Sequence, residues 1–176
     1  MSEIPSGIKQ LHLIGCGVEE WSASFQSFDT LKYMCISMCY NLRSLPSSLH
    51  LTFVEKLELF RCSNLNKFPN VTGYLKGILL EEVAIEELPL TIRCLSSLVA
   101  LKLEKCNKLE SLPGSICELK CLERLFLLGC QTLGGLPSLY GLCSLTHLYL
   151  DDTAVSEIPS DIFSLSSLRL LSFRYR

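Results

Sequence analysis

The stretch LVALKLEKCNKLESLPGSICELKC, residues 98–121, contains one complete unit of a repeat that recurs along the whole chain. Aligned on the first residue of the pattern LxxLxL, eight units begin at Ile8, Leu31, Val54, Leu75, Leu98, Leu122, Leu145 and Leu168. Successive starts lie 23, 23, 21, 23, 24, 23 and 23 residues apart. A near-constant period of this length indicates a solenoid in which each unit buries its apolar face against the next.

Each part of the unit has a physical role. In LxxLxL the alternate side chains of a short strand point inward, and the strands of successive units stack in parallel. The proline that follows fixes φ and lacks a backbone donor, which suits the turn toward the opposite, convex side. The segment xxIxxL then supplies one turn of helix or 3₁₀ before the next strand. The repeat predicts an α/β leucine-rich-repeat solenoid with a curved, parallel concave sheet, about seven full repeats and partial units at both ends.

The pattern covers residues 1–176 as a single domain, and we expect it to be part of a longer array that is truncated at both ends. The return after Pro69 is the shortest, so NVTGY, residues 70–74, is expected to be a loop without helix. The first ten residues show neither the basic region nor the apolar core of a secretory signal. We therefore expect a reducing compartment and free thiols.

The ten cysteines raise the question of chemistry, and their positions in the repeat favour a structural role. One unit position holds cysteine five times and valine or threonine twice: Cys16, Cys39, Cys62, Cys106, Cys130, Val83 and Thr153. A catalytic thiol would not recur five times or be replaced by valine, whereas a small buried residue with a weak donor fits all three residue types. Zinc would need four converging ligands, and no second matching pair follows the C-x₃-C pair at 117–121.

Several classes of function are disfavoured by what the sequence lacks. No phosphate-binding glycine motif, nucleophile elbow or HExxH motif is present, so the sequence predicts no enzyme, no cofactor and no metal. The net charge is -2 without a basic block, and no apolar run is long enough to span a membrane. Nucleic acid and membrane are therefore not expected as partners.

A protein partner is expected on the concave sheet, because that is the extended surface of a solenoid. The outward columns vary while the leucine columns do not, and toward the C-terminal half they collect aromatic and charged residues typical of interfaces. The candidate binding residues are Tyr33, Glu58, Phe60, Lys102, Glu104, Arg124, Phe126, Leu128, His147, Tyr149 and Asp151. The alternative is that exposed positions vary freely and that Phe126 and Tyr149 stabilise the sheet by stacking.

The segments KLELFRCSNLNKFPNV (residues 56–71) and LYLDDTAVSEIPSDIFSLSSL (residues 148–168) resemble the repeats of plant intracellular nucleotide-binding, leucine-rich-repeat immune receptors of the TIR type. The resemblance implies a cytoplasmic or nucleo-cytoplasmic protein that recognises a pathogen effector or a guarded host protein. It also implies autoinhibitory contact with the nucleotide-binding domain of a parent receptor. The TIR domain and the P-loop are absent from this chain, so NAD cleavage and ADP or ATP binding are not carried over. A stand-alone cytosolic adaptor that scaffolds a signalling complex is the alternative.

Overall fold

The computed structural model describes residues 7–21 and 29–174, and its regular elements in these ranges are short strands and 3₁₀ turns. The strands are β1 (Gln10–Ile14), β2 (Tyr33–Ser37), β3 (Ser48–Leu51), β4 (Lys56–Phe60), β5 (Asn70–Gly73), β6 (Gly77–Glu81), β7 (Ala100–Glu104), β8 (Arg124–Phe126), β9 (His147–Tyr149) and β10 (Leu170–Ser172). Eight of them form one parallel sheet in the order β1-β2-β4-β6-β7-β8-β9-β10. This architecture confirms the predicted repeat solenoid.

The register of the sheet keeps equivalent unit positions side by side. Leu57, Ile78, Leu101 and Leu125 are successive partners across four strands. The leucines at the inward positions are fully buried, as Leu101 and Leu103 show with no exposed surface. Burying one such side chain contributes about 1.5–3 kcal/mol. The period of the sequence is therefore also the period of the core, because no unit can bury its leucines alone.

The convex side carries three 3₁₀ turns, at Leu90–Cys94, Gly114–Glu118 and Ser160–Ser164. A proline immediately precedes each turn, and its carbonyl accepts a hydrogen bond from the backbone of a buried isoleucine, as from Ile116 to Pro113 at 3.0 Å. The segment xxIxxL thus forms the single turn that was predicted. In the described residues all helical structure is of this 3₁₀ type, since five residues leave room for only one turn.

The segment at residues 70–74 corrects one prediction. It lacks a helix, as expected, but it is not a loop, because Asn70–Gly73 pairs in parallel with Ser48–Leu51 to form a small convex sheet. Leu49, Leu51 and Val71 turn inward and are buried. The unit that begins at Val54 is the shortest of the chain, with 21 residues before the next start at Leu75. An extended segment crosses the convex side with fewer residues than a helical turn needs.

A column of left-handed residues follows the sheet and was not predicted from the sequence. The residue directly before the cysteine position has φ between 50° and 68° in seven units: Gly15, Met38, Arg61, Glu82, Lys105, Gly129 and Asp152. Backbone amides in this column extend the ladder beyond the strands, as from Lys105 to the Leu128 carbonyl at 2.8 Å. Only two of the seven are glycine, so the usual sequence signal for this conformation is missing.

Candidate functional site

The cysteine column lies in the core and has no place in the candidate site. Cys62, Cys106 and Cys130 are fully buried, which confirms the structural interpretation, although Cys16 in the first unit is only partly buried. The thiols donate to backbone carbonyls, as from Cys130 to Leu103 of the preceding unit at 3.3 Å, whereas the Thr153 hydroxyl donates to Leu150 within its own unit at 2.8 Å. The pKa of Cys106 is raised by its hydrogen bond with the Cys130 thiol and then by burial. All ten cysteines are free.

The C-terminal half of the concave sheet carries a stack of rings, here called the aromatic ladder (Phe126, Tyr149 and His147). The rings of Phe126 and Tyr149 are nearly parallel at 7°, with centroids 4.7 Å apart. The ring of His147 lies 6.5 Å from that of Tyr149. The Lys102 ammonium lies 4.6 Å from the centroid of Phe126, within the range of a cation–π interaction. The sheet register creates this arrangement, because Lys102, Phe126 and Tyr149 are partners on β7, β8 and β9.

Charged and apolar side chains surround the aromatic ladder. Arg124 is exposed on β8 beside His147 on β9, and Leu128 and Asp151 follow the ends of these strands. The Asp151 carboxylate accepts a hydrogen bond from the Ser172 hydroxyl at 2.6 Å. Aromatic and arginine side chains at the centre of an interface contribute most of its binding energy, and neighbouring charges select among partners. This part of the sheet therefore has the composition of a protein-binding surface.

The N-terminal half of the sheet carries a different arrangement, the polar network (His12, Tyr33, Lys56 and Glu58). The Tyr33 hydroxyl donates a hydrogen bond to the Glu58 carboxylate, and the Lys56 ammonium lies 2.5 Å from the other carboxylate oxygen. Lys56 also lies 5.8 Å from the Tyr33 ring centroid, and the His12 ring packs against Tyr33 at 5.1 Å. Burial raises the pKa of the Tyr33 hydroxyl above its ordinary value, and the hydrogen bond to Glu58 adds to the rise.

The predicted site residues therefore fall into two groups. Tyr33, Glu58 and Phe60 lie on β2 and β4, and the other eight lie on β7, β8 and β9 or directly after β8 and β9. Glu58 lies at an outward position of β4, as predicted, but its side chain is only 8% exposed and its carboxylate is bound within the chain. The sequence could not show this, because the burial depends on how the long Tyr33 and Lys56 side chains lie over it.

A charged ladder lies on the left-handed column. The Glu82 carboxylate pairs with Arg61 at 3.2 Å on one side and with Lys105 at 3.3 Å on the other. Since the three residues share a unit position, the parallel stacking of successive units brings them side by side. Arg61 was not among the predicted site residues, because only the left-handed backbone after β4 brings it to the edge of the concave sheet.

The described part of the chain shows no group of three or more histidine, cysteine or acidic side chains arranged to hold a metal ion. No helix in this part is long and apolar enough to cross a membrane. What remains is a parallel repeat scaffold whose variable concave side chains are partly exposed.

No family model matches the chain. Among solved structures, the chain is similar to the leucine-rich repeat domain of the type III effector XopL, with a TM-score of 0.54 and 21% identity over 93% of this chain and 76% of that one. It is also similar to a leucine-rich repeat protein of Leptospira interrogans, with a TM-score of 0.50 and 18% identity over 96% and 57% of the two chains. At these identities the likeness is one of fold. The molecule is a leucine-rich repeat protein.

Its sequence relatives are more specific. The chain is 40% identical to the protein SUPPRESSOR OF npr1-1, CONSTITUTIVE 1 of Arabidopsis thaliana, over 97% of this chain and 13% of that protein. It is 35% identical to Disease resistance protein RPS4B of the same plant, over 73% and 11%. It is 34% identical to TMV resistance protein N of Nicotiana glutinosa, over 77% and 12%. Its homologues are plant disease resistance proteins of the TIR type, which confirms the resemblance seen in the repeats, and the chain spans only 10–13% of the length of the first relatives.

Proposed function

We propose that this chain is the protein-recognition module of a plant innate-immune receptor and that it binds its partner through the concave sheet. The observation that carries the proposal is the contrast between a monotonous buried scaffold and a partly exposed aromatic ladder, in a chain whose homologues are disease resistance proteins. The role is one of binding without catalysis. Residues 1–176 act as one repeat domain within a longer protein.

The aromatic ladder is the centre of the proposed contact. Phe126 and Tyr149 are stacked on each other and supported by the rigid sheet, so a partner can cover them with little loss of side-chain entropy. Lys102 lies over the Phe126 ring and Arg124 precedes Phe126 on β8, whereas Glu104 and Asp151 supply negative charge at the carboxyl ends of β7 and β9. A partner with a complementary arrangement of charges is favoured, and others are disfavoured.

The partner is a pathogen effector or a guarded host protein, and the compartment is the cytoplasm or the nucleus and cytoplasm. The parent receptor adds a second contact, in which its nucleotide-binding domain lies against the repeats in the resting state. These assignments extend from the homologues to this chain, which covers only a small part of their length.

The experiment is a binding screen of the chain against a panel of pathogen effectors, followed by a leaf cell-death assay with the parent receptor. Phe126→Ala and Tyr149→Ala should lower the affinity for the bound effector at least tenfold, because they remove the central rings. Tyr140→Ala is the matched control, since Tyr140 is an aromatic residue that is 71% exposed in the turn after Pro137, away from the concave strands. Equal affinities for all three variants, each shown to be folded by circular dichroism, would place the contact elsewhere.

A further inference from the structure

A small hollow lies at the carboxyl ends of three neighbouring strands, away from the aromatic ladder. Its volume is about 320 Å³, and it is lined by Cys35, Ser37, Met38, Phe60, Arg61 and Glu81. This size is at the lower limit of ligand pockets and suits a single large side chain of a partner. Below, it is called the strand-end hollow.

The sequence opens the hollow by placing a small residue between large ones. Ser37, on β2, is the register partner of Ile14 on β1 and of Phe60 on β4, so it forms one column with these two larger residues. Met38 and Arg61 then follow in the left-handed conformation, which turns the chain away from the sheet and leaves their side chains on the rim. The hollow is therefore a consequence of one serine in a column of larger side chains.

The lining contains a buried polar group that the described residues leave unpaired. Ser37 is only 8% exposed and lines the hollow, yet its hydroxyl makes no hydrogen bond within the described part of the chain. Its oxygen is open to the hollow, so a ligand that enters the hollow can form a hydrogen bond with it. Met38 and Phe60 supply an apolar wall and a ring face beside it.

Of the charged groups at the rim, Arg61 is paired with Glu82, whereas Glu81 and its strand neighbour Glu104 have no ion-pair partner within the described residues. Glu81 and Glu104 are direct partners on β6 and β7, and like charges in this position repel. The nearby cations are engaged elsewhere, because Arg61 and Lys105 both pair with Glu82, and Lys102 lies over Phe126. A cation placed at Glu81 would relieve the repulsion.

We propose that the strand-end hollow binds a basic side chain, arginine or lysine, of the protein partner. The aliphatic stem packs on Met38 and Phe60, the cationic head pairs with Glu81 and Glu104, and the Ser37 hydroxyl accepts one of its hydrogen bonds. An acidic side chain would meet the two glutamates, and a purely apolar one would leave the serine and both carboxylates without partners. The site deepens the proposed function, on which it rests, by giving the partner a basic anchor separate from the contact at the aromatic ladder.

The test uses small probes, so it does not require the natural partner. The isotope-labelled chain is titrated with N-acetyl-arginine amide and, as its neutral isostere, with N-acetyl-citrulline amide, and backbone amide shifts are followed by NMR. We expect saturable shifts at Ser37, Phe60 and Glu81 for the arginine probe, with a dissociation constant on the order of 1–10 mM, and at least tenfold weaker binding of the citrulline probe.

Variants assign the binding to the hollow. Glu81→Gln keeps the shape of the rim and should weaken the arginine probe several-fold, whereas Glu86→Gln, at an exposed glutamate outside the hollow, should leave it unchanged. Equal shifts from both probes, or arginine shifts centred away from Ser37 and Glu81, would overturn the proposal. Unchanged effector binding in Phe126→Ala, with probe binding intact, would contradict the proposed contact at the aromatic ladder and leave the assignment of the hollow standing.

Discussion

The two halves of the concave sheet are built from the same repeat but use their polar side chains in different ways. In the polar network, the Glu58 carboxylate is bound by Tyr33 and Lys56 and is almost fully covered. In the aromatic ladder, Phe126 and Tyr149 stack on each other, and the surrounding Arg124 stays exposed. The comparison shows that outward columns are not uniform: in one half the polar groups are engaged within the sheet, and in the other half they are left partly exposed.

The largest expected effect is on the scaffold that both halves share. Leu103→Ala should lower the free energy of unfolding by about 2–5 kcal/mol, because Leu103 is fully buried and the repeat cannot close the cavity. Urea unfolding followed by circular dichroism measures the change. Phe126→Ala is the comparison, and we expect a loss of about 1–2 kcal/mol from the stacking and cation–π contacts alone. If Phe126→Ala destabilises as much as Leu103→Ala, the ladder is part of the core and not a binding surface.

An intermediate effect should separate the two halves directly. Glu58→Ala should lower the free energy of unfolding by about 1–3 kcal/mol, because it leaves the Tyr33 hydroxyl and the Lys56 ammonium without their partner. Glu104→Ala, at a partly exposed glutamate without a partner in the described residues, should change it by less than about 0.5 kcal/mol. Chemical denaturation of both variants under the same conditions tests the contrast. Equal losses would mean that the two halves do not differ in the way described.

The smallest expected effect depends on pH and tests the polar network through Tyr33. The pKa of Tyr33 is raised in the folded chain, so the folded state keeps its proton above pH 10.0, where the unfolded tyrosine releases it. This contribution to stability is present below pH 10.0 and is lost as the pH rises further. Wild type should therefore lose stability between pH 9.5 and 11 more steeply than Tyr33→Phe, on the order of tenths of a kcal/mol or more. An equal loss of unfolding free energy in the two proteins over this pH range would contradict the polar network.

The leucine columns made the solenoid predictable, because one period sets both the strands and the core. The same period assigned the cysteine position correctly, since Cys106 and Val83 can exchange only where a small buried residue is needed. The convex strand at residues 70–73 was missed because a four-residue segment containing glycine carries little strand signal.

The site was less predictable than the fold, because its geometry depends on long side chains that cross between strands. The columns placed Phe126 and Tyr149 side by side, but they could not show that Lys102 lies over the ring or that Glu58 is covered. The strand-end hollow was hidden for a different reason. It depends on Ser37 and on the left-handed backbone at Met38 and Arg61, which follow no glycine signal.

The left-handed column also affects how this domain could be engineered. Five of its residues have a Cβ atom in a conformation that costs L-amino acids roughly 1–2 kcal/mol each, so glycine at these positions would stabilise the fold. At Arg61, Glu82 and Lys105 the same change would delete the charged ladder, whereas Met38 and Asp152 lie outside it. Gly15 and Gly129 show that the repeat accepts glycine at this position, so a glycine substitution in the other units trades relief of backbone strain against the contacts that the lost side chain makes.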